Sequence, residues 1–303
     1  MNGLFLDLLV DPVTQDPLQF DSWQNVFIAA ASGKTYPVKD AAVTVLEPAE
    51  QPQLEASPLH QQYQTSFHYQ EHYQEDAILF DYFAEPESGA TLEENRRLHQ
   101  TIFSKLKPQL KLILDVGCGN GWAAQEALRR GWSIISMDVS TANPQKATLA
   151  YPSENHLGLV ADAFRMPIKN DALDAIIAAE IMEHVADPRQ FVATLYQKLR
   201  PGGQLIITTP YNEKIEYYLC VHCNRPTPKH AHLHSFSEHN INQLFPEGSG
   251  HRWEAISNKY LAKLRTHVLL KYLPFTLWRS VDRLSNRLLW RPTRLLLEIT
   301  KPL

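Results

Sequence analysis

The run LDVGCGNG, residues 114–121, puts three of the chain's twelve glycines within five positions: Gly117, Gly119 and Gly121. A short apolar run of β type (112–116) precedes it, and a helix-forming run (122–130) follows. Glycines in such a turn let the backbone bend tightly and come close to a ligand. The N-terminus of the next helix offers unpaired N–H groups to an anionic group. Dinucleotide and phosphate sites use related loops. Two details point away from a nucleotide phosphate. No Lys-Ser/Thr pair follows the loop, and the spacing is G-x-G-x-G rather than G-x-G-x-x-G.

Outward from this loop, strand and helix signals alternate in the way that builds a parallel sheet. Strands are expected over 132–137, 156–161, 172–178 and 204–209, and helices over 144–150 and 188–199. Asp187-Pro188 opens the second helix, and Pro201-Gly202-Gly203 is expected to stop it. Upstream, residues 91–107 have helical composition, and Thr91 with Glu94 has the spacing of a capping box. Downstream, a helix is expected over 237–245 and strands over 253–257 and 294–300. Asp138 ends the second strand of the alternating region and Asp162 ends the third. Open α/β sheets bind ligands at those carboxyl ends, where an acid in the position of Asp138 can accept hydrogen bonds from both ribose hydroxyls.

The first 48 residues read differently. Short β-type runs at 25–30 and 43–46 alternate with turn signals at Asp16-Pro17, Ser32-Gly33 and Pro37. The proline-containing stretch 48–58 suits a linker. Residues 60–83, rich in Tyr, Gln and His, suit a helical lid or an arm.

The 29 basic and 33 acidic residues leave a formal charge of -4, without the basic excess of a dedicated nucleic-acid binder. Only Cys118, Cys220 and Cys223 occur, which excludes a secreted disulfide framework. The N-terminus has no early Lys or Arg and does not read as a signal peptide. No run approaches the roughly 18 apolar residues of a spanning helix. The expectation is a cytoplasmic protein, at most peripheral to a membrane.

Taken together, LDVGCGNGW, Asp138, ADAFRMPI (161–168), LDAIIAAEIMEHVADP (173–188) and LRPGGQLIITTP (199–210) resemble the class I S-adenosylmethionine-dependent methyltransferases. The resemblance implies an α/β, Rossmann-like, seven-stranded, mostly parallel sheet whose last pair is antiparallel. The implied cofactor is S-adenosylmethionine, held by Asp115, Gly117, Cys118, Gly119, Gly121, Asp138, Val139, Asp162, Ala163 and Glu180. In that family the glycine loop holds the methionine moiety, the Asp138 position the ribose and the Asp162 position the adenine amine. Glu180 would border the methyl-donor pocket. His184 is the candidate general base. Glu180, Glu183 and His184 also fit an E-x-x-E-H arrangement seen in some metal-aided O-methyltransferases, including quinone-biosynthesis enzymes.

The N-terminal runs LLVDPVTQDPL (8–18) and KTYPVKDAAVTVLEP (34–48) resemble a small zinc-ribbon-like family that includes methyltransferase adaptors. Metal-binding members carry cysteine near the position of Asp11, and this chain has none before Cys118. The expected organisation is a small β-rich adaptor-like domain over 1–48, a linker with lid or arm over 49–90, and the methyltransferase domain over 91–303.

Two segments stand apart from that pattern. In LCVHCNRPTPKHAHLHSF (219–236), Cys220, Cys223, His230 and His232, with His234 as alternate, have the donors and spacing of a structural zinc knuckle. Histidines two apart on an extended segment point the same way, so a turn is needed to gather them. Residues 261–294 hold eight Lys or Arg against one acid, leaving -11 for the rest of the chain. Trp278, Val281, Leu284, Leu288 and Leu289 fall on one side of a helix, and Arg279, Arg283 and Arg287 on another. Such a basic amphipathic insert (261–292) reads as a membrane-surface contact or as a lid over a lipid-like substrate. The expected activity is methyl transfer to a small-molecule or lipid-like acceptor, with nucleic acid not expected as a partner. The alternatives are a methyltransferase acting on RNA or protein, and a non-catalytic module that binds S-adenosylmethionine or a partner.

Overall fold

The computed structural model describes residues 2–48, 67–84, 89–264 and 266–303. The N-terminal stretch forms helix α1 (Gly3–Leu6) and strands β1 (Leu18–Asp21), β2 (Val26–Ala29), β3 (Thr35–Lys39) and β4 (Ala42–Thr44). Helices α2 (Tyr69–Leu79) and α3 (Ala90–Lys105) lead into the alternating region. There β5 (Leu112–Val116), α4 (Trp122–Arg129), β6 (Ser133–Asp138), α5 (Ala142–Ala150), β7 (His156–Val160), β8 (Leu173–Ala179), α6 (Pro188–Lys198) and β9 (Leu199–Pro210) follow in turn. A small hairpin, β10 (Tyr217–Leu219) and β11 (Pro226–Pro228), precedes β12 (Gly250–Asn258). Helices α7 (Lys259–Lys263), α8 (His267–Leu270) and α9 (Phe275–Leu288) come next, and β13 (Pro292–Thr300) ends the sheet.

Strands β7, β6, β5, β8 and β9 lie side by side and parallel. β13 pairs antiparallel with both β9 and β12. This is the expected seven-stranded, mostly parallel sheet. All five residues of β5 are buried, as a strand covered on both faces requires. Alternate residues serve two cores, because successive strand side chains point to opposite faces. Leu112, Leu114, Val116, Ile135 and Leu159 pack with Phe191 and Leu195 of α6. Ile113, Ile134, Ile177 and Ile206 pack with Ile102 and Phe103 of α3 and Ala123 of α4.

The N-terminal strands extend this same sheet. β4 pairs parallel with β7, with Val43 opposite Leu159, which gives eleven hydrogen-bonded strands among the described residues. Gly158 makes the approach possible, since a Cβ there would lie 2.7 Å from the Ala42 Cβ. Phe5, Leu8, Leu9 and Phe27 are buried in the main core, each worth about 1.5–3 kcal/mol on full burial. Asp11 is buried and accepts from the Tyr36 hydroxyl at 2.6 Å and from the amides of Val13 and Thr14 at 2.9 Å. A carboxylate and a phenol thus close this turn.

Four expectations change. Gly89, not Thr91, caps α3 and makes no side-chain cap, while Glu94 pairs with Arg294 instead. α6 ends at Lys198, and Pro201-Gly202-Gly203 belongs to a bulged start of β9 rather than to a turn. The 237–245 helix is reduced to one 3-10 turn at Ile241–Leu244. Most of the expected linker at 48–58 lies outside the described residues.

The fourth change concerns α9, which buries Trp278 and Arg279, expected on different sides of the helix, together with Asp282 and Asn286, and leaves Leu284 and Leu288 exposed. The cause is the unpaired end of β12. Asp282 accepts from the amides of Ser257 and Asn258, Arg279 pairs with Asp282 and Glu254, and Asn258 binds Asn286. Buried strand-end amides need acceptors, so a polar face turns inward and the leucines turn out. Arg97 fastens the insert to α3 by donating to the carbonyls of Leu270 and Leu273 at 2.8 and 2.9 Å. A cavity of about 60 Å³ lies here, lined by Arg97, Asn258, Leu270, Trp278 and Asp282, and apart from the glycine loop.

Candidate active site

The glycine loop folds back on the end of β6. The amides of Gly117 and Cys118 both donate to the Met137 carbonyl, at 2.8 and 3.0 Å. Gly117, Gly119 and Gly121 have φ of 71°, 48° and 70°, in the left-handed region that favours glycine. At Gly117 a Cβ would lie 2.2 Å from Ile181 Cδ1, so the side chain following β8 closes over the loop. Cys118 is fully buried, and burial pushes its thiol well above the ordinary value. Gly121 caps α4 without a side chain of its own, and the Trp122 amide donates to Asn120 Oδ1 at 3.3 Å.

The expected carboxylates stand at neighbouring strand ends. Asp138 accepts from the Ser140 amide at 2.9 Å and the Asn143 amide group at 3.0 Å, while burial pushes its carboxyl up. Asp115 is 1% exposed, and burial next to Asp138 pushes it to about 7. Among the described residues its Oδ2 has no partner, and neither does Glu180 Oε1. Asp115 and Glu180 sit at the ends of paired strands, so these orphaned oxygens mark a place where a polar ligand fits. Glu180 takes a left-handed φ of 58°, a strained setting for a non-glycine residue, and its other oxygen accepts from Arg294 at 3.0 Å. Val139 and Ala163, each next to a strand-end Asp, are half-buried.

Helix α2 lies over these ends. Asp162 accepts from the Tyr69 hydroxyl, from Gln70 at 3.2 Å and from its own turn through Phe164. Gln74 exchanges two 2.9 Å hydrogen bonds with Thr141, and Tyr73 meets His184 edge-on at 5.9 Å. The sequence reading missed Tyr69, Gln70, Tyr73 and Gln74. Their spacing puts all four on one helical face, which is the signal that could have found them.

The Cys/His segment requires a correction. Cys220 and Cys223 stay in the turn between β10 and β11, where the Cys220 amide donates to Arg225 and its carbonyl accepts from Asn224. The histidines go elsewhere. The amides of Leu233 and His234 both donate to the Glu183 carbonyl, at 2.7 and 3.2 Å, and draw His232 beside His184 with ring centres 4.7 Å apart. Among the described residues, the one cluster of donors within metal-sharing distance is Glu183, His184 and His232, with ligand atoms within 4.8 Å of one another. Cys220, Cys223, His230 and His232 do not converge on one point. Glu183 is buried and accepts from Thr209 at 3.0 Å, and burial with Glu180 nearby pushes its carboxyl well up. Burial and the neighbouring His232 bring His184 down to about 4, so its ring is neutral near pH 7.

The sequence pattern of a methyltransferase domain family matches residues 82–252, more than half of the chain. The chain belongs to that family. The ubiquinone biosynthesis O-methyltransferase of Rickettsia typhi is 34% identical over 126 residues, which are 41% of this chain and 49% of that protein. The enzyme of the same name from Parvibaculum lavamentivorans is 34% identical over 100 residues, 32% of this chain and 39% of that one. This methyltransferase-domain chain thus spans at most about half the length of these relatives. A crystal structure from Listeria monocytogenes, described as an S-adenosylmethionine-dependent methyltransferase, superposes with a TM-score of 0.50 at 15% identity. It covers 69% of this chain and all of that one, a likeness of fold.

Proposed function

We propose that this protein moves a methyl group from S-adenosylmethionine to a hydroxyl of a small, quinol-like acceptor. The observation that carries the reading is the group of strand-end residues. The glycine loop lies folded against β6, Asp138 is pre-set by Ser140 and Asn143, and the orphaned oxygens of Asp115 and Glu180 belong to residues at neighbouring strand ends. Family membership and relatives named for ubiquinone biosynthesis support the substrate class.

S-adenosylmethionine supplies a methyl group that its sulfonium already makes electrophilic. In this reading Asp138 binds the ribose hydroxyls, Asp162 with Ala163 the adenine, and the loop from Asp115 to Gly121 the amino-acid end. Glu180 borders the methyl. Tyr69, which now donates to Asp162, is the group that an adenine amine replaces, so α2 serves as the lid. The acceptor oxygen forms its bond to carbon as the sulfur–carbon bond breaks and sulfur keeps the electron pair. The acceptor's proton leaves to water. Catalysis then rests mostly on alignment. His184 is a weak base near neutral pH because burial opposes its charge, so it does not take the proton.

We place the protein in the cytoplasm, with residues 261–292 touching an anionic membrane surface. Leu269, Tyr272, Leu284, Leu288 and Trp290 are exposed there beside the exposed Lys271, Arg283, Arg287 and Arg291. None of the described helices is long and apolar enough to cross a membrane. Apolar side chains among cations suit shallow insertion at a lipid headgroup layer. Residues 2–48 turn their apolar side to the chain's own sheet and serve as a built-in scaffold.

Native mass spectrometry with and without S-adenosylmethionine tests the core of the proposal. A mass increase by the cofactor or its demethylated product is expected, followed by methylation of a catechol-type quinol. A chain that ignores the cofactor overturns it. Co-sedimentation with anionic vesicles, weakened by salt and by Leu288→Asp, tests the membrane contact.

A further inference from the structure

We propose that Glu183, His184 and His232 form a site for one divalent transition-metal cation, with the third ligand coming from the Cys/His segment rather than from Glu180. The E-x-x-E-H resemblance directs attention to Glu180, Glu183 and His184. In this chain, Arg294 holds Glu180 at 3.0 Å, and the donors that gather within 4.8 Å are Glu183, His184 and His232. The location of the site stands on this geometry alone. Its role in binding the acceptor rests on the methyl-transfer reading above.

Three features support a built site. First, the segment is clamped in place, because the amides of Leu233 and His234 share the Glu183 carbonyl. His232 therefore sits beside His184 through backbone bonds, without help from a metal. Second, the Glu213 carboxylate lies 2.5 Å from His232 Nδ1, which leaves Nε2 as the free donor atom. A carboxylate behind a histidine fixes the ring's orientation and tautomer and strengthens it as a ligand. Third, His184 Nδ1 is buried without a hydrogen-bond partner among the described residues, although the ring as a whole is steadied by the Ala231 backbone, and Glu183 is 1% exposed. Unpaired buried polar atoms call for a ligand, water or ion.

Two imidazoles and one carboxylate suit Zn²⁺ or Co²⁺ better than Mg²⁺, which prefers oxygen ligands. Three protein ligands leave a position open, as catalytic sites do. A cation bound there supplies a Lewis acid that lowers the pKa of a coordinated hydroxyl. His232, His184 and Glu183 hold it, Glu213 orients His232, and the open position would take the acceptor oxygen.

The test is metal binding by the full chain, stripped with a chelator and titrated with Zn²⁺ against a chromophoric competitor. Co²⁺ titration in parallel reads the ligand set through its visible absorption. One equivalent is expected to bind. His232→Ala should weaken binding by at least tenfold, and Glu213→Gln by about 10–100-fold. Glu180→Gln and the double variant Cys220→Ser/Cys223→Ser should bind as the unaltered protein does, with the same Co²⁺ spectrum. If His232→Ala is not folded by circular dichroism, His232→Gln is read in its place. Absence of binding, loss of binding in Glu180→Gln, or loss that follows the cysteines would each overturn the proposal. Cofactor binding measured on the same metal-free samples keeps the two readings apart. Failure to bind S-adenosylmethionine breaks the methyltransferase reading, and failure to bind metal breaks only this one.

Discussion

The loop around Cys118 and the turn around Cys220 and Cys223 both surround sulfur with backbone amides, yet they are opposite environments. Cys118 is fully buried, its amide bonded to Met137, and burial drives its thiol up. Cys220 is half-buried and Cys223 exposed, and the amides of Cys223 and His222 draw the Cys220 thiol below its usual range. The first loop is held by the adjacent strand and by the helix it opens. The second segment is split, with its cysteines kept in a local hairpin and its Leu233 and His234 amides bonded to Glu183 in the turn after β8. Residue spacing reports chemistry when the contacts are local. It misreports when a distant carbonyl decides where the donors go.

The largest test of this contrast is Gly117→Ala. The new Cβ would meet Ile181 Cδ1 at 2.2 Å, at a φ of 71°. Cofactor binding should fall by more than tenfold. Stability should fall by about 1–2 kcal/mol from backbone strain alone, with repacking of Ile181 in addition. Gly33→Ala is the matched control, with φ of 70° and nothing within 4 Å of the new Cβ. It should lose only the strain, about 1 kcal/mol, and no cofactor affinity. Equal losses in both variants would mean that the close approach at Gly117 is not what the loop needs.

Asp138→Ala comes next. It removes an acceptor that Ser140 and Asn143 hold ready, and cofactor affinity should drop by about 1.5–3 kcal/mol, read by calorimetry. Asp187→Ala removes a carboxylate that caps α6 through Arg189 and Gln190. It should lower stability by about 1 kcal/mol and leave cofactor affinity unchanged. An unchanged affinity in Asp138→Ala would break the ribose assignment.

These residues could be read from the sequence because buried parallel strands show as apolar runs, and because the acids follow those runs directly. The partners of Glu180 could not. Arg294 lies 114 positions away and counted only as one cation of a basic insert. α9 shows the same limit. Its apolar stripe is real, but the buried face is decided by the amides of Ser257 and Asn258, which require Asp282. Helical periodicity identifies the faces of a helix. Which of them turns inward depends on what the neighbouring strand end leaves unpaired.

The acid side of the stability profile is a smaller test. His99 is stacked on Trp122 at 3.7 Å, and burial, with Arg294 near, lowers it to about 4. The unfolded chain binds a proton at His99 near pH 6.5, so between about 6.5 and 4 it holds more protons than the folded chain. His99 therefore contributes stability above that window, which is lost as the pH falls through it. His184 acts in the same direction, while the raised carboxyl of Asp115 acts in the opposite one. The comparison must be made by difference. His99→Phe should reduce the loss of unfolding free energy between pH 6.5 and 4, read by denaturant titration, by about 1–3 kcal/mol relative to the unaltered chain. An identical slope in both would remove His99 from the acid response.

The smallest expected effect bears most directly on the opening contrast. If the Cys220/Cys223 turn holds no structural metal, Cys220→Ser/Cys223→Ser removes only two thiols from a partly exposed hairpin. Stability should then change by no more than about 0.5 kcal/mol, the range usual for surface substitutions. A thiol reagent should modify Cys220 and Cys223 in the native protein, Cys220 first because its lowered pKa gives more thiolate, and Cys118 only after unfolding. A metal held by the two cysteines would reverse both results at once. It would shield the thiols from the reagent, and their loss would lower stability by several kcal/mol, as removal of a structural zinc does. The geometry predicts free thiols in the turn, because the amides of Leu233 and His234 bond the Glu183 carbonyl and hold the histidine part of the segment in the turn after β8, where His232 lies beside His184.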